Sequence, residues 1–426
     1  MKLRILTWAS AMTLLAVLVL PTQCLAQQPK HKLSHYTVID LGTLGGTFSL
    51  AGGLNNRGAV VGESTLSGDT IVRGFLWENG SMTDLGTLGG QNSVAAWPFS
   101  DSNQIGGASE TSTPDPNGED FCGFGTDLTC LPFLWQKGVM TALPTLGGTN
   151  GTANEVNNWG LVVGAAETTM VDNTCPPPKV LRFKPVFWYN GKAYELPTLE
   201  GDTVGGALVV NDLGLMAGAT HTCAVHAAHP VLWEYGKIVK LGSLGGTTGV
   251  PGGINNWGQV VGWSNLPGDT TTHAYLWQKR TGMIDLGTLP DDFSSWSYGI
   301  NDLGQIVGSS CDSDENCRAF LWQNGVMTDL NTLIPSDSTL YLLEATGSIN
   351  NHGQIAGYAY DTVGGEIHPF LLTPCYRDGG CAGQGRDLTN SAPRVRPQLP
   401  GNIRKLLQQH KQRGRLQFRP AIPVAK

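Results

Sequence analysis

Apolar positions in this chain fall in short bursts between turn residues. From residue 36 to 374 no stretch sustains the 3.6-residue period of an amphipathic helix, and β-branched and aromatic residues fill the bursts. In the first full unit, Ser49–Leu54 reads as a strand, and Asn55-Asn56-Arg57-Gly58 has the chemistry of a tight turn. Ala59–Ser64 reads as a second strand and Val72–Trp77 as a third. Asn79-Gly80 then turns the chain into a fourth, Ser81–Leu85. The Phe75-Leu76-Trp77 piece is apolar at successive positions, which predicts burial of both its faces.

This unit recurs, and three phrases mark it in fixed order. The N-x-x-G-x-x-x-G turn phrase begins at Asn55, Asn157, Asn211, Asn255, Asn301 and Asn350, with a degraded copy from Ser100 to Gly107. The aromatic phrase is Phe75-Leu76-Trp77, Phe133-Leu134-Trp135, Val186-Phe187-Trp188, Val231-Leu232-Trp233, Tyr275-Leu276-Trp277, Phe320-Leu321-Trp322 and Phe370-Leu371-Leu372. The third phrase, Leu41-Gly-Thr-Leu-Gly-Gly46, returns at Leu85, Leu143, Leu196, Leu241, Leu286 and, degraded, Leu330.

Four antiparallel strands per repeat of this length is the pattern of a propeller blade. The chain opens with a fourth-strand phrase, Tyr36–Leu44, that lacks the three strands before it. It closes at Phe370–Pro374 with a third strand that lacks a fourth. The expected fold is therefore all-β: a seven-bladed β-propeller of four-stranded antiparallel blades over residues 36–375, its ring closed by the N-terminal strand completing the last blade. Small residues such as Ala51, Gly53, Ala153, Ala207, Gly253 and Gly299 suit an innermost strand crowded around one axis.

The three phrases together resemble the extracellular HAF repeat family, named for a His-Ala-Phe sequence before the blade's Trp. Here His273-Ala274-Tyr275, Arg318-Ala319-Phe320 and His368-Pro369-Phe370 come nearest, while Arg73-Gly74-Phe75 and Leu131-Pro132-Phe133 depart from it. The resemblance covers about residues 36–374 and implies a secreted repeat protein. It carries no activity to transfer.

Export is also expected from residues 1–26, which read as a signal peptide: Lys2 and Arg4, then the apolar Ile5–Leu20, then Pro21 and small residues at Cys24-Leu25-Ala26. A lipoprotein alternative would acylate Cys24, but Gln23 before it is bulky for such a site. Residues 27–35 read as a linker, and no later stretch is a membrane span. Eight further cysteines fit an oxidising compartment, with disulfides expected for Cys122 and Cys130, Cys311 and Cys317, Cys375 and Cys381, and between the two left over, Cys175 and Cys223. The body up to residue 376 is acidic. The segment 376–426 is basic and Pro/Arg-rich, and is expected to be disordered, with Asn402–Gln412 as a possible short helix. An acidic body argues against nucleic acid as partner.

Candidate chemistry is sparse. No G-x-S-x-G phrase occurs, and no catalytic residue or metal site is expected. Carboxylates at a central funnel, Asp291 and Asp292 with Asp202 and Glu155, would support the alternative of a carbohydrate-active hydrolase or lyase. His221, His226 and His229 form the one histidine cluster. Asp312–Asn316 and Asp115–Asp120 faintly resemble calcium loops, calcium being the only cofactor considered. Long insertions, Glu110–Leu131, Glu167–Lys184 and Ala219–His229, fall on the face where strand two meets three and strand four meets one. Trp97, Trp296 and Tyr298 lie on that side, and aromatics there suit a sugar or peptide. On the opposite face Trp159 and Trp257 occupy turn tips, where polar residues are the norm. The leading expectation is a binding or scaffold module recognising an extracellular glycan or protein through the insertion-bearing face, with a purely structural cell-surface role as a further alternative.

Overall fold

The computed structural model describes residues 33–95, 98–174, 180–223, 225–376 and 394–417. Apart from the helix Gly401–Gln417 and a 3-10 turn at Leu330–Thr332, these residues are strands and their connections. The fold is all-β, as the alternation of bursts and turns predicts.

Each repeat is an antiparallel meander. In the first, Gly45–Leu54 pairs with Val60–Leu66, then Val72–Glu78, then Ser81–Asp84. Five further four-stranded sheets follow the same order. The last repeat supplies Leu340–Glu344, Ile355–Asp361 and Ile367–Tyr376. The N-terminal strand Leu33–Asp40 adds to it antiparallel, with Tyr36 opposite Pro374 and Asp40 opposite Phe370. One parallel bridge, Phe48 to Ile367, links the first and last sheets, and no closed sheet forms among the described residues.

The second glycine of the turn phrase has a backbone cause. Gly62, Gly107, Gly164, Gly218, Gly262, Gly308 and Gly357 each stand opposite the first residue of their aromatic phrase. A Cβ at Gly62 would lie 1.9 Å from the Leu50 carbonyl oxygen, and one at Gly308 1.9 Å from that of Trp296. The innermost strand bulges beside these points, between Ala51 and Gly53 and between Ser297 and Gly299, and no side chain fits beneath it.

The aromatic strands are buried on both faces. Phe75, Phe133, Phe320 and Phe370 are fully enclosed, each contributing roughly 1.5–3 kcal/mol by burial. The indole N–H groups of Trp188 and Trp233 donate to the carbonyls of Pro144 and Pro197 at 2.7 and 2.8 Å. Outside the last sheet, the outermost strands are only four residues long and partly exposed, as at Ser81–Asp84 and Val139–Ala142, which blunts them as templates for edge pairing.

The histidine of the His-Ala-Phe phrase holds that outer strand. His273 and His368 pair with Asp285 and Asp40 at 2.9 and 2.8 Å, and Arg318 takes the same position against Asp329 at 3.3 Å. Asp40 and Asp285 each also accept the N–H of the glycine two residues on, starting the next turn. Asp40 lifts the His368 imidazole to about 9, against the opposing effect of burial.

Cys122–Cys130 and Cys311–Cys317 are disulfides. Cys223 and Cys375 are disulfide-bonded too, and their expected partners, Cys175 and Cys381, lie outside the described residues. Within the basic tail, residues 401–417 form a helix that takes in the short helix expected at Asn402–Gln412, and it packs on the body through Ile403, Leu406 and Leu407. Its apolar residues recur at helical spacing and find an apolar seam to cover.

Candidate recognition site

The Asn turns build one end of the molecule. In each well-kept turn the leading Asn clamps its own hairpin and reaches the next. Asn255 Oδ1 accepts the N–H groups of Trp257 and Gln259 at 3.1 and 3.0 Å, while its Nδ2 donates to the Asn301 carbonyl at 3.1 Å. Asn157, Asn211, Asn301 and Asn350 do the same toward Asn211, Asn255, Asn350 and Asn55.

The residue after each leading position is Asn or Asp, and these form a second belt. The N–H of Asn56 donates to Asp101 Oδ1, Asp101 to Asn158, Asn158 to Asp212 and Asp212 to Asn256. Asn256 donates to Asp302, Asp302 to Asn351 and Asn351 back to Asn56, all seven bonds spanning 2.7–3.0 Å. Sequence reasoning missed this belt, although the signal was present as an Asx at the second position of every turn.

A depression of about 120 Å³ opens inside the belt, lined by the belt residues, by the leading asparagines and by Glu155. Asp101, Asp212 and Asp302 face it, and among the described residues none of the three forms an ion pair. Burial holds the Glu155 carboxyl well above the usual carboxylate range, opposed by the Val210 N–H that it accepts at 3.0 Å and assisted by the charge of Asp212. The depression is thus polar and anionic.

Its rim is apolar along four consecutive turns. Trp159, Leu213, Trp257 and Leu303 stand at the tips with 75, 65, 75 and 72 % of their surface exposed. The Trp257 indole is fixed by its N–H donating to the Asp302 carbonyl at 2.9 Å. Both tryptophans picked out on this face are therefore presented to solvent beside the depression.

The candidates on the insertion-bearing face are placed differently. Tyr298 is buried, its hydroxyl donating to Glu344 Oε2 at 2.9 Å, and Trp296 is half-buried against the cluster that holds Trp263 and Tyr275. Neither is a free stacking platform, because the inner strand that carries them is packed between neighbouring sheets. Trp97 lies outside the described residues. Asp292 is enclosed and paired with Arg318 at 2.9 Å and with Arg396, while Asp291 is exposed in the turn beside it. Asp202 pairs with His229 at 2.9 Å, so Asp202, Asp292 and Glu155 do not converge.

The calcium-like loops are internally satisfied. Asp312 accepts the N–H groups of Asp314 and Asn316, both at 3.0 Å, and receives the Arg396 guanidinium at 2.5 Å, where a cation would sit. Asp115 caps Asn117 and Glu119 at 2.8 and 3.0 Å and accepts from Thr149 and Asn150. His221 turns to the Thr222 carbonyl at 2.9 Å, away from the His229 pair, and the His226 side chain lies outside the described residues. Among the described residues no cluster of His, Cys, Asp and Glu fits a metal ion, and no helix is long and apolar enough to cross a membrane.

No family model and no curated protein matches the sequence. Three solved structures are similar to it at low identity. The β-propeller domain of the Trilobed protease from Pyrococcus furiosus is 10 % identical, with 66 % of this chain and 81 % of that one covered and a TM-score of 0.45. TolB from Acinetobacter baumannii is 12 % identical over 78 % of this chain and 65 % of its own, with a TM-score of 0.39. The SapL1 lectin in complex with alpha methyl fucoside is 11 % identical over 68 % and 98 %, with a TM-score of 0.38. The chain is an all-β protein built largely of antiparallel four-stranded sheets. At such identities what these neighbours cut or bind belongs to them alone.

Proposed function

We propose that this chain is an exported, seven-bladed and ring-closed propeller of the HAF repeat type. It acts as a recognition module, and its ligand is an extracellular protein engaged through the turn-tip face. The observation that carries the reading is the arc of Trp159, Leu213, Trp257 and Leu303 around an anionic depression. Large apolar side chains that exposed are unfavourable in water and favour burial by a partner, and tryptophan is enriched among residues that dominate interface energies. Carboxylates inside the arc that form no ion pair among the described residues suit a Lys or Arg side chain of the partner, which would gain charge-assisted hydrogen bonds there.

Seven blades and a closed ring are supported by the Asx belt, whose seventh bond returns to Asn56, and by the pairing of Leu33–Asp40 with the last repeat. Export is supported by the disulfides and by the character of residues 1–26. A glycan ligand is the second reading, because exposed indoles beside amides and carboxylates also suit stacking on a sugar ring.

The test is a random-peptide display and a glycan array on the oxidised full chain, scored beside the Trp159→Ala/Trp257→Ala variant. Enrichment of Lys- and Arg-bearing peptides, weakened about tenfold or more in the variant and by salt, supports the protein reading. Saturable glycan binding lost in the same variant selects the second reading. Release of glycan fragments, or binding indifferent to the variant, overturns both.

A further inference from the structure

The seam between the first and last sheets carries an apolar cluster on the end opposite the Asn turns. Phe48 and Leu50 of the first innermost strand, Leu343 of the last, Tyr358, Tyr360 and Ile367 form one buried apolar cluster there, and Phe48 and Ile367 make the only bridge between the two sheets among the described residues. Ile403 enters this cluster and is only 1 % exposed, with Leu399, Leu406 and Leu407 packed beside it. Positions 403, 406, 407 and 410 fall on one helical face, and Leu399 packs from just before the helix begins. His410 lies on it too, its Nδ1 2.8 Å from Glu63 Oε1 and its ring centroid 6.2 Å from that of Phe48.

Polar contacts fix the approach and direction of the segment. Arg394 donates to the Leu340 carbonyl at 2.8 Å, and Arg396 joins Asp312 and the enclosed Asp292. An apolar groove with acidic margins and a basic amphipathic helix laid in it is the arrangement of helix-in-groove recognition. We propose that this seam is a receptor groove for a short basic amphipathic helix, filled in cis by the chain's own residues 399–410. The tether keeps that helix at high local concentration, so a free helix of the same design competes poorly until the resident one is weakened.

The experiment uses a labelled peptide of residues 394–417 and the full chain, either unmodified or carrying Ile403→Asp and Leu407→Asp. Fluorescence anisotropy is expected to show saturable binding to the variant and at least about tenfold weaker binding to the unmodified chain. A peptide that itself carries Ile403→Asp should not bind. Should the variant chain fail to unfold cooperatively, the unmodified chain takes its place with the free peptide in excess, and faster amide exchange of residues 401–410 in the chain is the expected result. Equal binding to both chains, no binding to a folded variant, or exchange unmoved by excess peptide overturns the proposal.

Discussion

The backbone N–H of Asn351 donates to Oδ1 of Asn56 at 3.0 Å, joining residues 295 positions apart in the chain. The neighbouring bond, from Asn350 Nδ2 to the Asn55 carbonyl at 3.0 Å, spans the same separation. Together they tie the last repeat to the first at the turn-tip end, while the bridge from Phe48 to Ile367 and the docked helix tie them at the other. A molecule held at both ends of one seam can carry function on turns, since its tips are positioned by the belt behind them.

The leading asparagines should be among the most costly polar residues to remove. Asn255→Ala would orphan the N–H groups of Trp257 and Gln259 and take from the Asn301 carbonyl one of its two donors, leaving it the Gly304 N–H, all beside a buried side chain. A loss of about 2–4 kcal/mol is expected in urea unfolding, since an unsatisfied buried group costs about 1–3 kcal/mol. A loss below half a kcal/mol would show that water replaces these bonds freely.

Glycines with opposite causes should separate cleanly. Gly308→Ala drives a methyl into the Trp296 carbonyl and is expected to cost about 3 kcal/mol or more. Gly86 has φ +80° with no atom within 4 Å of an added Cβ, so Gly86→Ala should cost only about 1 kcal/mol. Unfolding midpoints of the two variants check the order.

Tyr275 stands where other repeats have Phe or Val, and its buried hydroxyl has no hydrogen-bond partner among the described residues. Tyr275→Phe should therefore be neutral or stabilising, by up to about 1 kcal/mol. A clear loss of Tm would mean that an ordered water satisfies the hydroxyl.

Stability should decline on the alkaline side. Burial, the charge of Glu119 and a side-chain hydrogen bond with it push the Glu167 carboxyl up to about 8. From the unfolded value of 4.5 up to about 8, the folded state keeps a proton that the unfolded state has released, so stability falls as pH rises through that window. His368, raised to about 9, adds in the same direction between about 6.5 and 9. Between pH 5 and 9 the loss should be on the order of 2–4 kcal/mol, and Glu167→Gln should flatten the part between pH 5 and 8. An unchanged slope in that variant would reject the assignment.

Much of the fold was legible because its causes are local. The Asn and Gly turn chemistry, the doubly buried Phe-Leu-Trp strand and the orphan phrase at Tyr36 each announce a neighbour that must exist. What escaped depends on register between repeats. The belt needs Asn56, Asp101 and Asn158 to meet across sheets, and nothing in one repeat states that its second Asx points to the next. Tyr298 and Asp292 look like surface groups in the sequence, yet Glu344 and Arg318 from adjacent segments of the fold take them up. The tail yielded a possible helix at Asn402–Gln412, but its Ile403, Leu406 and Leu407 stripe was not read as a docking face.

The central claim is that the turn-tip face is the one that meets the ligand. Hydroxyl-radical footprinting, read by mass spectrometry, tests it on the full chain with and without the tightest peptide from the display screen. Trp159 and Trp257 should oxidise readily in the free protein and be protected several-fold in the complex. Unchanged oxidation of both, with protection confined to the 110–131 or 167–184 insertions, would contradict the account.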